Sequence, residues 1–437
     1  MKFPGRSLKS YQPYVGHLST LLRTPFMPSN NVESQINLAL NGQASRELRK
    51  IIPLNQLRKL GAFFTGEALA EKVMKHYSIK VSAPITDPAC GTGDLLIAAA
   101  KKLPVSHDLK STLQKWGALL YGYDVINEFV EIAKIRLALL AIKRLGITES
   151  FTRTEIKSFF PNIRVSDGLA KLSGESIKGL ILTNPPYTLK KNNVSENLGK
   201  GLVSLAAVFL EQCILSAASN ANLIGIFPDV IRTGSRYSKL RNWISQHCDV
   251  KKIQLLGRFE RDVDVDVFAL HLVRKKTAKK ASVNWYGLAD RNVTRVKDSF
   301  DVHVGAVVPH RHKKTGSRAA YITAKCIEKL QTIKRINETR KFTGTCFKPP
   351  FVVIRRTSSP TDRLRASGAV ILGKRKVAVE NHLIVMKPKK NSKKRCVELL
   401  NFLQSQKANA WFNKRIRCRH LTVASLKELP YVQSGGL

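Results

Sequence analysis

From about residue 61 to residue 275, short aliphatic and β-branched runs alternate with stretches in which apolar positions recur every three or four residues. Residues 84–87 (PITD) read as the end of a strand and 93–102 as a helix. Residues 119–124 (LLYGYD) form the next apolar run, and a helical pattern covers 127–144. Another strand is expected at 179–184 (GLILTN), a helix at 202–218 and a strand at 222–227. Alternating strands and helices predict an α/β fold, with a doubly wound, mostly parallel sheet covered by helices on both faces.

The flanking regions differ. Residues 1–60 read as an irregular basic arm that turns helical in SRELRKIIPLNQLRKL. At 275–281 (KKTAKKA) the composition shifts to a basic linker. Beyond it the apolar runs at 351–354 and 383–386 read as strands, and 396–411 and 423–429 as helices, which predicts a second, α+β domain. The pattern divides the chain into 1–60, a central α/β domain at 61–275 and a basic domain at 282–437, without internal repeats.

With 437 residues, 43% of them hydrophobic, the chain can bury more than one core. Its net charge of +43 is the unusual property. From Met1 to Leu270, 36 Lys and Arg stand against 22 Asp and Glu; from His271 to Leu437 the balance is 38 against 9. An excess of that size opposes folding by self-repulsion unless a polyanion neutralises it. The C-terminal region is therefore the expected phosphate-contacting surface, although charge alone does not choose DNA over RNA. The seven cysteines are scattered with no CxxC pair, so neither a disulfide framework nor a zinc site is expected. His310 and His312 lie in a basic turn without acidic partners, and no metal is expected there. The N-terminus lacks an apolar signal core. The most apolar stretch, 201–227, is interrupted by Glu211, Gln212, Asn220 and Asn222, so a soluble, cytoplasmic protein is expected, without a membrane span.

Two short segments carry chemistry. The first, Asp87-Pro88-Ala89-Cys90-Gly91-Thr92-Gly93, lies between a strand and a helix, where glycines let the backbone turn sharply beside a ligand. It is not GxGxxG, so a pyrophosphate site fits poorly. Asp124 ends the next strand, where a carboxylate can hold ribose hydroxyls, and Asp167 precedes the strand that leads to Asn184. Each acid taken singly reads as a helix cap or turn aspartate. Three of them in register with a glycine turn read as a nucleoside-binding row.

The second segment, Asn184-Pro185-Pro186-Tyr187, follows an apolar strand directly. Consecutive prolines fix φ and remove N–H donors, which leaves carbonyls facing outward as acceptors. Asn184 adds a side-chain carbonyl. An amino group on an aromatic ring is a poor nucleophile because its lone pair is delocalised. Two acceptors aimed at its hydrogens favour tetrahedral nitrogen and free that lone pair, with neither metal nor covalent intermediate. Tyr187 can stack on a planar ring.

The order Gly61-Ala62-Phe63-Phe64-Thr65, DPACGTG, NPPY and then a basic C-terminal region resembles the γ-class DNA adenine-N6 methyltransferases. That family includes stand-alone restriction-modification methylases and the modification subunits of type I systems. The resemblance covers about residues 60–274 and implies a Rossmann-like class I methyltransferase fold with S-adenosylmethionine as cofactor. It places Asp87, Pro88, Ala89, Gly91 and Gly93 along the methionine part of that cofactor. It also gives Asp124 the ribose, Asp167 the adenine amino group and Thr65 the methionine end, although Gly66 stands where the family usually has proline. Asn184 and the Pro185 carbonyl would bind the target amino group, beside Pro186. Tyr187 would stack on one face of the extruded base, and Phe259, expected on a later loop, on the other. Flipping is required because N6 inside a duplex cannot be reached in line.

The resemblance extends loosely to a C-terminal target-recognition domain, where Arg355 and Arg356 are candidates for contact with double-stranded DNA and Lys389-Lys390 and Lys393-Lys394-Arg395 for phosphates. A cognate restriction endonuclease or defence-system partner is implied as well. Two alternatives remain open at this point. One is an RNA methyltransferase of the ribosomal guanine-N2 type, the other a non-catalytic DNA-specificity component. Release-factor glutamine methylation fits the charge and the long C-terminal region poorly.

Overall fold

The computed structural model describes residues 8–24, 31–61, 64–75, 77, 82–146, 149–193, 195–260, 263–279, 281–287, 293–327, 331–417 and 419–431. The chain packs as two units, one comprising residues up to Ile231 together with Arg236–Val283, the other Arg232–Ser235 and Asn284 onward. Among the described residues no helix is long and apolar enough to cross a membrane.

The first unit contains strands β1 (Ile85–Asp87), β2 (Leu120–Asp124), β3 (Ile163–Val165), β4 (Leu180–Thr183), β5 (Leu189–Asn192), β6 (Gly201–Ser204), β7 (Asn222–Pro228), β8 (Cys248–Glu260) and β9 (Val263–Arg274). Seven of them form one sheet of order β3-β2-β1-β4-β7-β9-β8. The first five of that order run parallel, while β9 is antiparallel to both β7 and β8. This is the expected doubly wound α/β sheet, extended at one edge by a long hairpin. Strand β4 is buried along its whole length, as a parallel strand covered on both faces must be.

The 19-residue helix Asn127–Leu145 is almost entirely buried. On its outer side lie the helices Gln12–Leu21 and Asn31–Leu40. Tyr11, Leu18, Ile36 and Leu40 share one core with Ile132, Ile135 and Leu139. Much of the stretch read as an irregular arm is thus helical. Tyr14, Val15, Leu18 and Leu21 recur at helical spacing, and Pro13 sits in the first turn, where its missing N–H costs nothing. A second difference concerns 202–204, expected to be helical. They belong to β6, which pairs with the polar strand β5, and the helix begins at Leu205.

The second unit contains β10 (Phe300–Val304), β11 (Arg318–Ile322), β12 (Gln331–Ile333), β13 (Thr339–Lys341), β14 (Phe351–Arg355), β15 (Gly368–Ile371), β16 (Val377–Val379) and β17 (Leu383–Pro388). They form a five-stranded sheet, β10-β17-β14-β15-β12, and a three-stranded sheet, β13-β11-β16. The uninterrupted apolar runs FVVI and LIVM have a simple cause. Val352, Ile354, Ile384 and Met386 face a core with helical residues such as Leu399, Leu403 and Phe412. Phe351, Val353, Leu383 and Val385 face the opposite way, toward Ile322 and Val379 of the smaller sheet. Each such side chain contributes about 1.5–3 kcal/mol by leaving water. The single helix expected over 396–411 is two helices, Lys393–Leu403 and Gln406–Arg415. Ser405 caps the second by accepting the Ala408 N–H at 3.2 Å.

Candidate active site

The sequence order of the strands reverses between β1 and β4, so their carboxyl ends border the crevice where doubly wound folds hold ligands. Asp87 closes β1 there, and the glycine turn follows it. Gly93 starts the helix Asp94–Ala100 at φ +88°, and a Cβ on it would lie 3.0 Å from the Ala133 side chain. Both conditions strain any other residue there.

Asp87 is buried and accepts the Ala89 N–H at 3.0 Å. Asp124, at the end of β2, accepts the Gly91 N–H at 3.1 Å and the Ile126 N–H at 2.9 Å, tying the turn to the neighbouring strand. Neither carboxylate has an ion-pair partner among the described residues. Burial therefore pushes Asp87 up to about 8, and Asp124 up to about 6 against the pull of its backbone donors. Asp167 is exposed and accepts the Leu169 N–H at 2.9 Å as the cap of Gly168–Leu172. It nevertheless stands beside the same turn. A Cβ on Gly168 would fall 1.7 Å from the Pro88 carbonyl oxygen, so only glycine permits that approach. Sequence reasoning passed over Gly168; the Asp-Gly pair ahead of a short helix was its signal.

Asn184 to Tyr187 leave β4 on the same side. The Asn184 side chain is held from both ends, its Nδ2 donating to Thr65 Oγ1 at 2.9 Å and its Oδ1 accepting the Tyr187 hydroxyl at 2.7 Å. The three sequence segments therefore converge: Thr65 reaches Asn184, while Phe64 packs edge-on against Phe129 at 5.0 Å, behind the glycine turn. Ala62 and Phe63 lie outside the described residues.

Phe259 belongs to strand β8, not to a loop. It is buried with Ile226 and Val267, and its ring stands edge-on to Tyr187 with centroids 5.7 Å apart and an interplanar angle of 73°. A base stacked on both rings needs them parallel and roughly 7 Å apart, twice the ~3.4 Å thickness of a base. The two aromatic rings instead touch each other directly, as a closed edge-on contact with no base-sized gap between them.

In the second unit Arg355 is half-buried and donates its Nε–H to the Ala324 carbonyl at 3.1 Å. Arg356 lies near His420, whose pKa is lowered by burial and by the positive charges of Arg356, His382 and Arg419. Sequence reasoning passed over a cleft of about 650 Å³ lined by Arg318, Arg375 and Lys376. It shares Arg318 and Thr339 with a second cleft, of about 430 Å³, lined by Lys314 and Lys341. These cations come from separate strands and loops, so no run in the sequence marks them.

Residues 53–286 match the family described as N-6 DNA Methylase. The modification methylase CviBIII of Paramecium bursaria Chlorella virus NC1A is 21% identical over 231 residues, 52% of this chain and 52% of that protein. The chain thus spans about half the length of this curated relative. Among solved structures, the type IIL restriction-modification enzyme MmeI in complex with DNA shares the fold, with a TM-score of 0.53, 11% identity and coverage of 95% of this chain and 79% of that one. The type IIG restriction endonuclease BpuSI aligns over 90% of this chain and 60% of its own, with a TM-score of 0.43 and 13% identity.

Proposed function

Because the chain belongs to the N-6 DNA methylase family, we propose that it transfers a methyl group from S-adenosylmethionine to the N6 nitrogen of an adenine turned out of double-stranded DNA. It would act at specific sites, within a restriction-modification or related defence system. The observation that carries this reading is the placing of Asn184. Its amide nitrogen is anchored by Thr65 and its oxygen takes the Tyr187 hydroxyl at the end of β4, one strand from the buried Asp87 of β1.

The residues fit the cofactor. Asp87 and Asp124 are carboxylates that burial penalises and that, among the described residues, backbone N–H groups alone compensate. A cationic ligand bearing hydroxyls relieves that penalty. When bound, the cofactor supplies an electrophilic methyl carbon on a sulfonium. The chain's part is to present the nucleophile. The Asn184 Oδ1 and the Pro185 carbonyl accept the two amino hydrogens and localise the nitrogen lone pair. Tyr187 offers a stacking face, and entry of a base parts it from Phe259. In the second unit, Arg318, Arg375 and Lys376, together with Arg356, would neutralise DNA phosphates.

Incubation with duplex DNA of mixed sequence and methyl-labelled cofactor, followed by digestion to nucleosides, tests the reading. Label is expected in N6-methyldeoxyadenosine. Asn184→Ala should lower turnover at least about 100-fold, in the range seen when one such acceptor or donor is removed, while cofactor affinity stays within about twofold. Label in RNA alone, or in another base, overturns the assignment.

A further inference from the structure

Arg136 is wholly buried in the helix Asn127–Leu145, and its guanidinium makes five hydrogen bonds. Nε donates to the Ala39 carbonyl at 2.8 Å and Nη2 to the Leu40 carbonyl at 3.0 Å, both at the C-terminal end of the helix Asn31–Leu40. Nη1 donates to the Thr92 carbonyl at 2.6 Å, to Thr92 Oγ1 at 3.3 Å and to Asp94 Oδ1 at 2.9 Å. The other carboxylate oxygen of Asp94 accepts the Gly66 N–H at 2.8 Å. Gly66 follows Thr65, whose hydroxyl accepts the Asn184 amide at 2.9 Å. One continuous path therefore links a helix outside the family match to the side chain that faces the target nitrogen.

Packing alone does not demand this arrangement. A buried charge is costly unless it is paired and every donor is satisfied, and a hydrophobic residue would fill the same volume without that penalty. What the pair adds is direction. A planar guanidinium fixes where Asp94 stands, and a carboxylate with one oxygen on Arg136 and the other on Gly66 fixes the backbone that carries Thr65. Asn184 could otherwise rotate its amide, and a rotated amide would present N–H donors to the incoming amino group instead of a carbonyl.

We infer that Arg136 and Asp94 are positioning residues that hold Thr65, and through it the Asn184 amide, in the orientation that receives the amino nitrogen. This rests on the reading of Asn184 given above. The helix Asn31–Leu40, which completes the coordination of the arginine, is accordingly part of the catalytic unit.

The test uses the full-length protein. In Asp94→Asn the single remaining oxygen stays with Arg136, and the Gly66 bond is lost. Turnover at saturating cofactor and DNA should fall about tenfold or more, since misplacement by an ångström can cost a hundredfold. The 15N side-chain amide resonance of Asn184, assigned by its disappearance in Asn184→Ala, should shift in the cofactor-free protein. In a Thr65→Val background the same Asp94→Asn change should cost nothing further, because the path is already cut. Thr65→Ser, which keeps the hydroxyl, should restore both sensitivity and rate. Arg136→Lys provides a second entry point if Asp94→Asn folds poorly. An unshifted resonance with turnover within twofold, or full additivity with Thr65→Val, overturns the inference. Normal turnover in Asn184→Ala would overturn the underlying reading of the site as well, so the two failures are distinguishable.

Discussion

Asp87 is the residue whose chemistry is most open to a solution test. Its ordinary value of 3.8 is raised to about 8 by burial, so between those values the folded protein holds a proton that the unfolded chain has released. Stability from this group therefore falls as pH rises from about 4 to about 8. The linkage runs the other way for a cationic ligand that needs the ionised carboxylate. Cofactor binding at pH 7 should release close to one proton, and affinity should rise up to about pH 8 and then level off. Calorimetry in buffers of different ionisation enthalpy reads the proton directly, and zero release at pH 7 would refute the assignment. The second test at this scale concerns the Tyr187 hydroxyl. It donates to the Asn184 oxygen proposed to receive the amino group, while Thr65 already anchors Asn184 from the other side. Tyr187→Phe keeps the ring and removes a competing bond of about 1 kcal/mol, so KM for DNA should fall about fivefold with kcat unchanged. A lower kcat at constant KM would instead mean that the hydroxyl is needed to hold Asn184.

Basic side chains on different strands can build one surface, and the cleft over β11 and β13 shows it. Arg318 comes from β11, while Arg375 and Lys376 precede β16. Each phosphate contact contributes about 0.9 to the slope of log affinity against log salt. Replacing the three by Gln should lower that slope by about 2.7, measured by fluorescence anisotropy on a labelled duplex; an unchanged slope would place the DNA elsewhere. That cleft was illegible in the sequence because its parts are far apart along the chain, and the same holds for other failures of sequence reading. Strands β1, β2, β4 and β7 were visible as apolar runs, since parallel strands buried on both faces have no other choice. Strand β8 was not, because register shifts at Val250/Lys252, Leu255/Gly257 and Arg258/Glu260 break its period of two. Strand β5, Leu189–Asn192, is polar and exposed and carries no burial signal. Within the site, Asp87, Asn184 and Tyr187 could be named because each stands in a contiguous motif. The arginine that reaches Asp94 and Ala39 from 42 and 97 residues away could not.

At the scale of the whole molecule, the charge of +43 acts on stability and on binding with opposite dependence on salt. Self-repulsion among 74 basic residues weakens the folded state, and added salt screens it. The melting temperature of the free protein should therefore rise between about 50 and 300 mM NaCl, over which the Debye length shortens a little more than about twofold. A duplex bound as proposed would do the same work by neutralising the surface, and at a hundred times its Kd it would stabilise by about 2.7 kcal/mol. For a unit of 150–250 residues that corresponds to roughly 5–10 °C. The same salt that raises the melting temperature of the free protein releases the duplex, so the duplex-induced increment should shrink as salt rises and vanish near the top of the range. Differential scanning fluorimetry with and without a short duplex, across one salt series, reads both trends in a single experiment. Two curves that stay parallel would mean that the charge excess is not the surface that meets DNA. Two curves that converge from below would tie the composition of the chain to its substrate.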